Sequence, residues 1–94
     1  MVTVVVERTL PHPHTHEDLA AMSKGAAWCL EMYSVKYLHS WLSVDGTRLL
    51  CLYEAPDADS VRKTQETANM EYDRVYTVER FPPAGWEKPA PEGA

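Results

Sequence analysis

The chain has 94 residues and a formal net charge of −5, with 45% hydrophobic and 24% charged residues. That length suits one compact domain burying roughly 60 to 65% of its unfolded surface, and the composition is that of a folded protein rather than a disordered one. The acidic balance argues against nucleic acid and anionic membrane surfaces as partners, and no run approaches the roughly 18 apolar residues that span a bilayer.

Val2 to Glu7, "VTVVVE", is β-branched and reads as the first strand. The opening segment lacks a basic n-region and a small-residue cleavage site, so it does not read as a secretory leader and the cytoplasm is the expected location. Thr15 with Asp18 three residues on forms a capping box, and Leu19, Met22, Ala26 and Cys29 or Leu30 recur at helical spacing. A helix is therefore expected through "HEDLAAMSKGAAWCLEMY", with Gly25 inside it costing about 1 kcal/mol relative to Ala. Cys29 and Cys51 lie in apolar segments without a CxxC partner, which predicts two buried free thiols.

Val35 to Val44 and Thr47 to Glu54 are strand-like runs joined at Asp45-Gly46, a pair that favours a type I′ hairpin with positive φ at both turn positions. By a period of two, Val35, Tyr37, His39, Trp41 and Ser43 are expected on one side of the first of these strands. A second helix follows, with Pro56 at the entry, Asp57 as N-cap and Asp59 in its first turn. Glu71 to Phe81 alternates and is aromatic, which predicts a fourth strand. "PPAGWEKPAPEGA" then reads as an extended tail in which Trp86 could anchor against an apolar surface.

This order is β-α-β-β-α-β, an α+β ferredoxin-like domain over residues 1–81 with a Pro/Gly/Ala-rich tail at 82–94. The arrangement predicts a four-stranded antiparallel sheet with both helices on one face. The other face would be a sizeable apolar patch, and pairing two such faces predicts a homodimeric α/β barrel with a cavity between subunits.

Two groups of residues carry candidate chemistry. In "LPHPHTHEDLAAM", His12, His14 and His16 occupy alternate positions, and imidazole is a good ligand for transition metals. In an extended chain the outer Cα atoms would lie about 13 Å apart, so one ion requires a bend, for which Pro11, Pro13 and Thr15 provide the turns. Glu17 adds an oxygen ligand, and a solvated polar loop is the plain alternative. The second group is His39 as general base or further metal ligand, with Tyr37 and Tyr53 as hydrogen-bond donors in an inter-subunit cavity. Its alternative is a packed, hydrogen-bonded histidine. No nucleophile elbow, phosphate-binding glycine loop or nucleotide fingerprint is present.

The core of the sequence resembles a family of short bacterial proteins whose pattern is Ser-x-x-Ser-x-Asp-Gly-x-Arg-x-x-Cys-x-Tyr/Phe-Glu-Ala-Pro-Asp-Ala-Glu-x-Val-Arg. It is matched at Ser40, Ser43, Asp45, Gly46, Arg48, Cys51, Tyr53, Glu54, Ala55, Pro56, Asp57, Ala58, Val61 and Arg62, with Asp59 in place of Glu. The "VVVERTLP" opening is also similar. A described member is a small nickel-binding protein with a ferredoxin-like fold, so the resemblance implies that fold and a divalent transition metal, nickel first. The metal reading assigns His12, His14 and His16 as ligands with Glu17 or His39 as further ones. Its rival is a small-molecule isomerase, cyclase or cofactor-poor oxygenase built on His39, Tyr37 and Tyr53. A plain interaction subunit is the third reading.

Overall fold

The β-branched and aromatic runs become strands and the capped amphipathic runs become helices. The computed structural model describes residues 1–24 and 27–81, with no side-chain description for Ala27 and Trp28. In chain order the elements are β1 (Val2–Thr9), α1 (His16–Lys24), α2 (Ala27–Met32), β2 (Lys36–Leu42), β3 (Arg48–Ala55), α3 (Ala58–Thr67) and β4 (Arg74–Val78). The strands form one sheet in the order β2-β3-β1-β4, with every neighbouring pair antiparallel. This is the ferredoxin-like α+β arrangement, with the helical layer on one face. Gly25, expected within one long helix, lies outside the described residues, as do the tail and Trp86. No helix among the described residues is long and apolar enough to cross a membrane.

The core lies between the helices and alternate residues of the central strands. Val4 and Val6 of β1 and Leu49, Cys51, Tyr53 and Ala55 of β3 pack with Val61 of α3 and Val75 of β4. Cys29 and Cys51 are buried free thiols. Asp57 caps α3, accepting from the Ser60 amide at 2.7 Å, so the orphan donors of the first turn find a carboxylate.

Three local expectations are corrected. The β2–β3 turn has positive φ at Gly46 alone, at 76°, and Asp45 stays in the ordinary range. The Gly46 amide donates to the Ser43 carbonyl at 2.9 Å, so the loop is a turn followed by a left-handed glycine rather than a type I′ turn. Asp45 instead accepts from the Ser43 hydroxyl at 2.6 Å and from the Thr47 amide and hydroxyl at 3.0 and 2.7 Å, which stabilises this longer loop.

The second correction concerns faces. Tyr37 pairs with Tyr53 and His39 with Leu52, so Leu38 is an extra residue in a β-bulge. One inserted residue reverses the alternation. Tyr37, Ser40 and Leu42 therefore share the helix side with Cys51 and Tyr53, while Lys36, His39 and Trp41 share the open side with Leu50, Leu52 and Glu54. Third, the fourth strand spans Arg74–Val78 rather than 71–81. Val78 already pairs with Thr3 near the start of β1, so later residues have little partner strand left. Before it, Asn69 turns the chain with φ 56°, and the Glu71 carbonyl is taken by Arg8.

Candidate functional site

The histidine loop is docked onto the hairpin turn. The Leu10 amide donates to the Thr47 carbonyl at 2.7 Å and the His14 amide to the Gly46 carbonyl at 2.8 Å. The close approach requires a residue without a side chain, since a Cβ on Gly46 would stand 2.7 Å from the His14 carbonyl oxygen. Pinned in this way, the His12 and His14 rings stack with centroids 4.5 Å apart and planes 15° from parallel. His14 Nδ1 lies 2.6 Å from the His12 carbonyl and His12 Nδ1 lies 3.2 Å from the Pro13 carbonyl. A carbonyl only accepts, so in neutral rings both Nδ1 atoms hold the proton and both Nε2 atoms carry a lone pair. That tautomer is the one a metal-ligating histidine adopts when its second nitrogen is held by a carbonyl.

The helix start below the rings is built as expected. Thr15 donates its amide to Asp18 at 2.8 Å, and the Asp18 amide donates to the Thr15 hydroxyl at 3.2 Å. These Thr15 contacts hold the Asp18 carboxyl below its ordinary range, with smaller help from His14 and His12. His16, the first residue of α1, instead borders a hollow of about 250 Å³ beside Leu19 and Tyr37, and Glu17 is exposed. Among the described residues no group of three or more His, Cys, Asp or Glu side chains is assembled to hold one ion. Of the four expected ligands, the structure thus brings His12 and His14 together and leaves His16 and Glu17 apart from them. The donor chemistry fits a borderline transition metal. Two ligands at right angles on one ion have nitrogens about 3 Å apart for bonds near 2.1 Å, so the rings must splay from their stack to share it.

The second expected group is divided by the sheet. His39 lies on the open face, edge to face with Trp41 at a centroid distance of 4.5 Å. Tyr37 and Tyr53 lie on the helix face, 5.7 Å apart. The Leu38 bulge causes the separation. His39 therefore does not share one intra-subunit site with the two tyrosines.

On the helix face the structure contains a feature not anticipated from the sequence. A cavity of about 250 Å³ lies between α1 and strands β2 and β3, with Leu19, Met22, Leu30, Leu49 and Met70 as apolar wall. Its polar wall includes Tyr37, whose hydroxyl is 2.7 Å from the Ser40 hydroxyl, which in turn donates to the Cys51 sulfur at 3.2 Å. Deeper, Gln65 accepts from Arg8 Nη2 at 2.5 Å, and Arg8 Nη1 donates to the Glu71 carbonyl at 3.1 Å. Burial pushes the Tyr53 phenol well above its ordinary range, with the Arg8 charge acting in the opposite direction. Arg8 was legible in principle, since it shares the even-numbered face of β1 with Val4 and Val6. Nothing in the sequence around Gln65 marks it as the partner.

The sequence matches the family described as nickel responsive protein SCO4226-like over residues 5–78. The crystal structure of SCO4226 from Streptomyces coelicolor A3(2) is similar, with a TM-score of 0.72 over 81% of this chain and 94% of that one, at 20% identity. At that identity the likeness is one of fold. No curated protein sequence matches.

Proposed function

We propose that this chain, which belongs to the SCO4226-like family of nickel-responsive proteins, is itself a small transition-metal-binding protein that takes nickel through His12 and His14. The observation that carries the reading is the pair of Nδ1–carbonyl hydrogen bonds, which leave two neighbouring Nε2 atoms free in a loop anchored to the hairpin. Asp18 supplies negative charge beside the rings and offsets the positive end of α1. His16 and Glu17, in the first turn of α1, stand apart from this pair, and water completes the ligand set.

The reading includes a homodimer joined through the open sheet face. Val5 sits at the centre of that face, flanked in register by Leu52 and Tyr76, with Leu50, Trp41 and His39 beside them. The same face carries Lys36, Arg48 and Arg74 together with Glu7 and Glu54. Charges of both signs around an apolar centre make the face self-complementary under a two-fold axis, which supports a second copy as its occupant.

Isothermal titration of nickel into metal-stripped, untagged protein tests the metal reading. Saturable heat that falls at least about tenfold in affinity in the His12→Ala/His14→Ala variant is the expected result. No heat, or an unchanged isotherm in the variant, would reject it. Light scattering on the eluting protein tests the assembly: twice the chain mass for the parent and one chain mass for Trp41→Lys is expected, whereas a monomeric parent removes the second copy from the reading.

A further inference from the structure

The structure assigns a second, organic-ligand site to this chain: we propose that the cavity under α1 binds a small apolar carboxylate, its body against Leu19, Met22 and Leu49 and its head group toward Tyr53 and Gln65. The proposal is independent of the metal reading.

The first support is an uncompensated buried charge. Arg8 is 4% exposed, and among the described residues the ion pair present joins Arg62 to Asp59, with no carboxylate on Arg8. Among the described residues its guanidinium meets neutral acceptors, the Gln65 amide oxygen and the Glu71 carbonyl, and its Nε is buried without a partner. A buried cation without a counter-ion is costly, and natural interiors pair such groups. Gln65, itself 2% exposed, lines the cavity and stands between it and Arg8. Because its oxygen faces Arg8, its amide hydrogens are directed to the other side, where the amide hydrogen-bonds the Tyr53 phenol, so the chain from Arg8 through Gln65 to Tyr53 relays positive potential toward an anionic head group.

The second support is the shape of the space. At interior packing density, near 0.74, a cavity of 250 Å³ takes about a dozen non-hydrogen atoms. The hollow beside His16 has the same volume and shares Leu19, Ser23, Tyr37, Ser40 and Leu49 with the cavity, so the two spaces adjoin. Over both lies α1, which has no fully buried side chain and presents half-buried Leu19 and Met22. A helix held this lightly is a suitable cover for an exchangeable ligand. The lining mixes apolar walls with few convergent polar groups, the pattern of small-molecule sites.

The test uses the full, isotopically labelled, metal-free chain with phenylacetate and its neutral counterpart phenylacetamide as probes, read by amide chemical shifts. Phenylacetate is expected to shift Leu19, Ser40 and Gln65 saturably and to bind about tenfold tighter than the amide, the difference between charged and neutral hydrogen bonds. Gln65→Glu gives Arg8 an internal carboxylate, so it should raise the melting temperature and abolish the preference for the charged probe. Ser23→Phe, which fills the hollow from α1, should abolish binding of both and keeps the test decisive if Gln65→Glu does not fold. Absence of shifts at millimolar probe, equal affinity for the two probes, or shifts confined to the Trp41 and Tyr76 face would each overturn the assignment.

Discussion

Gly46→Ala is the substitution that most directly probes how the histidine loop is held. With φ at 76°, an L-residue there costs about 1–2 kcal/mol in backbone strain alone. The new Cβ would lie 2.7 Å from the His14 carbonyl oxygen and 3.0 Å from the His14 nitrogen, both backbone atoms that cannot rotate away. The loop must therefore lift, and losing the hydrogen bond from the His14 amide to the Gly46 carbonyl adds about 1 kcal/mol. Alanine reduces the entropy of the unfolded chain, which returns about 0.4–1 kcal/mol. The net is about 2 kcal/mol, or roughly 10 °C in melting temperature for a chain of this size. Calorimetric or circular-dichroism melting measures it, with Val44→Ala, an exposed residue of the same turn, as the control expected to stay within about 0.5 kcal/mol. If Gly46→Ala melts with the control, or if the His12 and His14 amide signals do not move, the docking of the loop on the turn is refuted.

The remaining predictions address pH and coupling. Hydrogen bonds from Ser43 and then Thr47 hold the Asp45 carboxyl down to about 2 from its ordinary 3.8, so the charged form favours the fold. Its stabilisation is complete above the unfolded value and is lost as pH falls below about 4 toward 2, and urea midpoints at pH 5, 3 and 2 should show a shallower loss in Asp45→Asn than in the parent. Nickel affinity, measured by titration between pH 8 and 6, should decrease as the solution is acidified, because imidazole binds metal as the neutral ring. An affinity independent of pH would remove His12 and His14 as ligands. Nickel and phenylacetate should also affect each other's affinity by one common factor, since α1 begins beside the histidine loop and covers the cavity. Affinities that do not change in the presence of the other ligand would exclude coupling through α1.

The order of the elements was readable because three signals agreed: β-branched runs for the strands, Asp-Gly for the hairpin, and the Thr15 and Asp57 caps for the helix starts. Each is a local interaction that survives into the fold, as the Thr15–Asp18 and Asp57–Ser60 bonds show. Side-chain direction in β2 was not readable. A bulge leaves the composition of a strand unchanged while reversing every later residue, and the inserted Leu38 thereby left Tyr37 on the helix side and put His39 and Trp41 on the open side. The buried pair of Arg8 and Gln65, 57 positions apart in sequence, was equally hidden, since only the packing of α3 on β1 brings them together.

That same bulge determines what chemistry each face of the molecule can support. Without it, Tyr37, His39 and Trp41 would share a side and a base would stand beside a phenol. With it, the imidazole lies among the apolar residues that suit a second copy, while both phenols border the space under α1. The helix-side cavity then contains hydroxyl, thiol and amide groups with a guanidinium behind them, but no histidine or carboxylate among its lining residues. Such a set recognises and orients an anion. It lacks a side chain suited to accepting a proton near neutral pH, because Tyr53 is held protonated by its burial. In the proposed site these groups would hold a carboxylate through donated hydrogen bonds rather than through proton transfer.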